Sequence, residues 1–108
     1  MKSKIFNFQI WQLKRDQDLR PYRSASLRCL QKQLLTVDPK NYTMVYAAAQ
    51  EGVDDIDTLE ALYERFNVYA PIDYRGHMMS VSDVVVLDQE RAYYCDSIGW
   101  EPLPDWQR

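Results

Sequence analysis

From Ile5 to Leu13 apolar and polar residues alternate, Phe6, Phe8 and Ile10 interleaving with Asn7 and Gln9. That period of two predicts a first strand with one buried face. Trp11 and Leu13 fall on the other face, which a helix must cover if it too is buried. Pro21 places a turn or extended passage in the polar stretch from Lys14 to Arg23. Ser24, Ala25 and Ser26 then offer N-caps for a short helix with Leu27, Leu30 and Leu34 along one side. Val37 to Asn41 is turn chemistry. Tyr42 to Ala48 reads as a second strand, with Tyr42, Met44 and Tyr46 on one face, Thr43, Val45 and Ala47 on the other, and a break at Gln50-Glu51-Gly52.

Asp57 followed three residues later by Glu60 is a capping-box pattern. Leu59, Leu62, Tyr63 and Phe66 form the apolar face of the helix it starts, which stops near Asn67. Past Pro71 a loop containing Gly76 and His77 feeds a strand from Val81 to Leu87, whose unbroken Val-Val-Val-Leu run predicts a central position covered on both faces. Asp88-Gln89-Glu90 turns the chain into Arg91 to Asp96, an antiparallel hairpin partner. Gly99, Pro102 and Pro104 leave room only for a short edge strand around Trp100. The pattern describes one α+β domain over residues 1–108, a small single-layer mixed sheet of about four strands in the order β-α-β-α-β-β with two helices packed on it.

At 108 residues the chain has room for one core, burying roughly two-thirds of the unfolded surface. With 46% apolar and 13% aromatic residues it falls outside the composition of disordered chains. Thirteen Lys and Arg against sixteen Asp and Glu give a net charge of -3, with the basic residues scattered. Direct nucleic-acid binding, which asks for a concentrated basic footprint, is therefore not expected. No apolar run approaches the roughly eighteen residues of a membrane span, and Met1-Lys2-Ser3-Lys4 leads into a strand pattern, so the expected location is cytoplasmic. Cys29 and Cys95 lack CxxC spacing and are expected to be reduced, buried and inert.

Candidate chemistry gathers between Gly76 and Asp83, where the single histidine, His77, stands near Ser80, Ser82 and Asp83. A catalytic triad draws its members from separate elements, and there is no G-x-S-x-G elbow. The expected role is architectural: Gly76 supplies an unusual backbone angle, while His77, Ser82 and Asp83 hydrogen-bond loop amides. An enzyme would instead pair His77 with Asp83 or Asp96 in a concave pocket. No metal or cofactor is expected. One histidine and two distant cysteines lack zinc spacing, Asp54, Asp55 and Asp57 lack the remainder of a calcium loop, and three glycines form no phosphate cradle. Eight Tyr and three Trp are many for this length. Trp11, Trp100 and Trp106 cannot all be core, so a patch including Tyr93 or Trp100 is a candidate protein-binding surface, and Trp106 is expected to be frayed or partly exposed.

Taken in order, Phe8 to Leu13, Asn41-Tyr42 to Tyr46, Leu62 to Asn67 and Gly76-His77-x-x-Ser80-Val81-Ser82-Asp83-Val84-Val85 resemble the YodL-like domain family across nearly the whole chain. The closing Tyr93 to Trp100 is similar to that family's Asp-Ser-hydrophobic-Gly ending. Ala70-Pro71 departs from the His-Pro pair expected in many members, which weakens any scheme with two cooperating histidines. The resemblance implies a domain found in Gram-positive bacteria, notably in multidomain proteins of mobile elements, with a free-standing member implicated in interfering with cell-shape machinery. It carries over no catalytic residue. The motif positions are Phe66, Asn67, Gly76, His77, Ser80, Ser82 and Asp83, to which Tyr93 and Trp100 are added as aromatic candidates. The expected function is a non-enzymatic interaction module of a mobile element that binds a host or element-encoded protein. The alternatives are a counter-defence inhibitor that blocks a host nuclease or mimics nucleic acid, and a hydrolase-like enzyme built on His77.

Overall fold

The computed structural model describes residues 2–107. The alternating N-terminal segment forms β1 (Lys4–Leu13). Its Phe6, Phe8 and Ile10 enter one core cluster, while Leu13 and Trp11 join a second cluster on the opposite face. The remaining elements are α1 (Leu27–Lys32), β2 (Tyr42–Gly52), α2 (Asp55–Val68), β3 (Val84–Leu87), β4 (Arg91–Cys95) and β5 (Trp100–Pro102), with a 3-10 turn at Pro39–Asn41. The sheet has five strands in the order β2-β1-β3-β4-β5, and every neighbouring pair is antiparallel. The α+β class holds and the short edge strand expected around Trp100 pairs with β4, but it makes the sheet five-stranded rather than about four, and the sheet is antiparallel throughout rather than mixed.

The expected central strand is β3, all four of whose residues are buried. Val85 and Leu87 pack with Leu59, Leu62 and Phe66 of α2, and Val84 and Val86 pack with Leu30 of α1 and Tyr94. The helices therefore cover opposite faces. A fully buried Leu or Phe contributes roughly 1.5–3 kcal/mol, so α2, which buries three such residues, is anchored more firmly than α1, which buries Leu30 alone.

Four local departures have identifiable causes. β2 continues through Gln50 to Gly52 because β1 supplies partners as far as Lys4. A register shift between Ile10 and Trp11 leaves Val45 as an extra residue, so Tyr42 lies in the second cluster and Tyr46 packs on the first, although the alternation places them on one face. α2 starts earlier than expected: Asp54 is its N-cap, accepting from Asp57 N–H at 2.8 Å, and Asp57 accepts from Val53 N–H at 2.8 Å. α1 stops before Leu34, which takes a left-handed φ of 59 while Leu34 N–H and Leu35 N–H bond to Gln31 O and Leu30 O. These are the two hydrogen bonds of a Schellman cap, and they turn Leu34 out to 92% exposure instead of onto the helix face.

Trp106 is partly exposed as expected but not frayed, since its ring packs edge-on against Trp11 and Tyr42 at 5.7 and 5.3 Å. Cys95 is buried, with its thiol pushed up to about 12 by burial. Cys29 is exposed, contrary to expectation, because it lies on the solvent side of the single-turn helix that buries only Leu30.

Candidate functional site

The loop from Gly76 to Asp83 is held to the sheet by a side chain of β1. On the face that carries Phe6, Phe8 and Ile10, the next inward position is Gln12, a polar residue only 2% exposed. Its Oε1 accepts from His77 N–H at 3.2 Å, which orients the amide. Its Nε2 then faces Tyr74 Oη at 3.0 Å, His77 O at 3.0 Å and Asp83 Oδ2 at 3.1 Å. A buried amide whose donors and acceptor are all met adds rigidity, whereas one left unpaired costs about 1–3 kcal/mol. The Tyr74 hydroxyl donates to His77 O at 2.6 Å, and its ring packs edge-on against Phe66 at 4.9 Å. Phe66 is itself packed against Phe8 and Tyr46. The support thus runs from the aromatic core through Tyr74 to the polar loop.

Asp83 is the most buried polar residue of the loop, 1% exposed. Burial pushes its carboxyl up to about 6, opposed by the nearby His77 and by hydrogen bonds from Ser80 N–H and Gln12. Ser80 N–H lies 3.0 Å from Oδ2. His77 Nε2 stands 3.8 Å from Oδ1, and the His77 side chain is 38% exposed. Its Nδ1 is 2.6 Å from Met78 O. A carbonyl only accepts, so Nδ1 carries a proton, and the 3.3 Å approach of Gln12 Nε2 to it is a contact between two donors.

Gly76 is needed for space. A Cβ there would lie 2.5 Å from Tyr74 Oη and 2.6 Å from Gln12 Oε1. The unusual backbone angle expected at Gly76 falls instead on Ser82, with φ 90. Asp83 N–H bonds to Ser80 O, Ser82 N–H to Cys95 O, and Cys95 N–H to Asp83 O. Two residues opposite one, the first left-handed, is the arrangement of a glycine-type β-bulge, here occupied by serine. This bulge is also why β3 begins at Val84 rather than Val81. Two further segments hold Ser82, whose carbonyl accepts from the Tyr42 hydroxyl at 2.6 Å and whose Oγ lies 3.4 Å from Ser24 N.

The structure therefore brings together Phe66, Gly76, His77, Ser80 and Asp83, with Asn67 closing the rear through Nδ2 to Met79 O at 3.1 Å. Ser82 faces the α1 side. Tyr93 lies elsewhere, its hydroxyl donating to Asp55 Oδ2, whereas half-buried Trp100 borders a shallow depression shared with Tyr63 and with Val81 at the end of the loop. Asp96 accepts from Leu27 N–H and Ser97 N–H and has no bond to His77. Neither Ser80 Oγ nor Ser82 Oγ is hydrogen-bonded to His77. Pattern reading passed over Gln12, Tyr74 and Tyr42. The available signal for Gln12 was its place on the core face of an alternating strand, where a polar residue needs partners.

An antiparallel sheet covered on both faces, with a loop clamped by a buried glutamine, defines a small α+β domain in which the Gly-His-x-x-Ser-Val-Ser-Asp segment completes the core. The YodL-like domain family matches residues 7–105, and the chain belongs to that family. It is 31% identical over 72 residues to the "Uncharacterized protein YodL" of Bacillus subtilis (strain 168), covering 61% of this chain and 69% of the relative. No solved structure matches it.

Proposed function

We propose that the domain is a non-catalytic protein-binding module that uses the Gly76–Asp83 loop as a rigid mount for the apolar side chains around it. The carrying observation is an inversion of the usual surface. The backbone groups of His77 and Ser80 turn inward onto Gln12 and Asp83, while Ile72 and Met78 are 98% and 64% exposed and Val68 and Tyr69 are also exposed. Exposed apolar residues on an ordered segment suit a partner surface, in which large side chains supply most of the binding energy. Buried Asp83, Ser82 and Phe66 cannot reach a partner in this conformation, so their part is to hold the mount. Partners encoded by a host or by a mobile element both fit this reading.

Nuclease inhibition by imitation of nucleic acid fits less well, since Asp55, Asp88 and Glu90 converge on the Arg91 guanidinium rather than forming an open array. Hydrolysis through His77 and Asp83 fits less well too, since among the described residues no serine hydroxyl is bonded to the histidine, whose Nδ1 is held by Met78 O. The test is affinity capture from bacterial lysate with the native domain and with an Ile72→Asp, Met78→Asp variant shown to be folded by circular dichroism. A protein held by the native domain and lost from the variant is the expected outcome. Identical retention by the two would overturn the assignment.

A further inference from the structure

We propose that a groove at the end of β1 and β2 takes an extended, carboxylate-rich segment of a partner protein, which adds along the free edge of β2. This gives the partner of the proposed module a chemistry and rests on that reading.

The groove encloses about 480 Å³ beside Gly76 and is lined by Lys14, Arg15 and Arg75, with Thr43 and Val45 of β2 and a single carboxylate, Asp16. None of the three cations forms an ion pair among the described residues. Arg75 donates to Ile72 O, and Arg23 reaches Lys14 O, which brings a fourth cation to the same end of the sheet. Elsewhere two arginines are neutralised, Arg91 by Asp55, Asp88 and Glu90, and Arg20 by Asp18, while Arg65 is spent on Ala49 O, Gln50 Oε1 and the rings of Phe8 and Phe66. Unpaired positive charge gathered in a chain of net charge -3 is the complement of an acidic ligand.

The form of that ligand follows from β2. It is the outermost strand, eleven residues long, and contains neither proline nor lysine, the residues that commonly guard an edge. The opposite edge is protected, since β5 has three residues and ends at Pro102. Asn7 spends its N–H and C=O on Asp88, on the β3 side. Its neighbours Phe6 and Phe8 therefore bond towards β2, and the backbone groups of Ala47 and Ala49, opposite Gln9 and Asn7, face outward. Arg65 touches one of them, Ala49 O, at 3.4 Å. A free anion would use only the cations. An extended peptide uses the cations and the strand edge together, the mode of recognition by strand addition.

The test is an amide-resolved NMR titration of the full chain with a short synthetic peptide alternating glutamate and valine, its lysine-for-glutamate counterpart, and sodium phosphate. The inference expects the acidic peptide to move the amides of Arg15, Thr43 to Ala49 and Arg75, with affinity falling several-fold as salt shortens the screening length. A Lys14→Glu, Arg75→Glu variant, folded by circular dichroism, should lose that binding at least tenfold. No shifts, equal shifts from both peptides, or phosphate moving the groove residues while the peptide leaves β2 unmoved would each overturn it. If the acidic peptide fails while the Ile72→Asp, Met78→Asp variant still loses a lysate partner, the groove assignment falls and the module stands. If the peptide binds while that variant retains every partner, the loop reading falls instead.

Discussion

Gln12 on β1 donates through Nε2 to the carboxylate of Asp83 at 3.1 Å, joining two residues 71 positions apart at the centre of the domain. Neither is accessible to a partner, and each satisfies the other. Removing one leaves a buried polar group exposed to an apolar surround, which is costlier than the bond itself is favourable. The motif around His77 is therefore explained first by folding.

The elevated carboxyl of Asp83 makes stability depend on pH with a definite sign. Its folded value of about 6 lies above the ordinary value of 3.8, because burial disfavours the charged form. The native state then binds the proton more tightly than the unfolded chain, so this contribution is fully present below about 4 and is lost as pH rises through about 6. Its size is on the order of 1–3 kcal/mol. Asp55 and Asp88 are held below the ordinary range, chiefly by Arg91 and by Asn7 N–H respectively, and act in the opposite sense below that window. Urea unfolding followed from pH 4 to pH 7 should show stability falling in the native protein and flat in Asp83→Asn. An equal slope in both would refute the assignment to Asp83.

Much of this fold was readable because hydrophobic periodicity reports burial directly. Phe6, Phe8 and Ile10 against Trp11 and Leu13 gave both faces of β1, and the Val-Val-Val-Leu run gave the doubly covered centre. What escaped were features carried by one backbone angle or one long-range partner. An extra residue at Val45 reverses the faces of β2, and a left-handed Leu34 ends α1, yet neither has a turn residue to announce it. The site was legible as a segment but not as a mechanism. Gln12 and Tyr74, which organise it, are ordinary residues until folding brings them beside His77 and Asp83.

Gly76→Ala tests whether the loop is clamped as tightly as these distances state. The three atoms nearest the new methyl all belong to the hydrogen-bonded pair Tyr74 and Gln12, so neither side chain can move without giving up a partner. A loss of about 1–3 kcal/mol is expected, read as a lower denaturant midpoint at unchanged slope. Gly52→Ala should cost at least as much, because its methyl would lie 2.0 Å from Thr58 Oγ1 and 3.2 Å from the backbone of α2. Neutral behaviour at position 76 would show that the loop yields.

The two cysteines should separate cleanly in a thiol-labelling experiment on the native protein. Cys29 is exposed, whereas Cys95 is buried with its thiol pushed up to about 12. Because the thiolate is the reacting form, one equivalent of a thiol reagent should be consumed quickly and the second only on unfolding. Cys29→Ser should abolish the fast phase. Rapid reaction of Cys95 would mean that the β4 end of the sheet opens more readily than its burial implies.

The strongest gain in stability is expected where an L side chain occupies glycine geometry. Leu34 sits at φ 59 with its side chain 92% exposed, so replacing it removes left-handed strain and little packing. Leu34→Gly should stabilise by roughly 0.5–1 kcal/mol net of the added freedom of the unfolded chain. Ser82 at φ 90 is the matched comparison, since it is strained but also buried, and its Oγ accepts a long bond from Ser24 N–H. Ser82→Gly should gain less than Leu34→Gly, because the hydroxyl contact is given up, while Ser82→Ala keeps the strain and loses the contact and should destabilise by about 1 kcal/mol. Thermal and urea unfolding of the three variants gives the ordering directly. If Ser82→Ala proved as stable as Ser82→Gly, the bulge would not be strained, and the start of β3 would need another explanation.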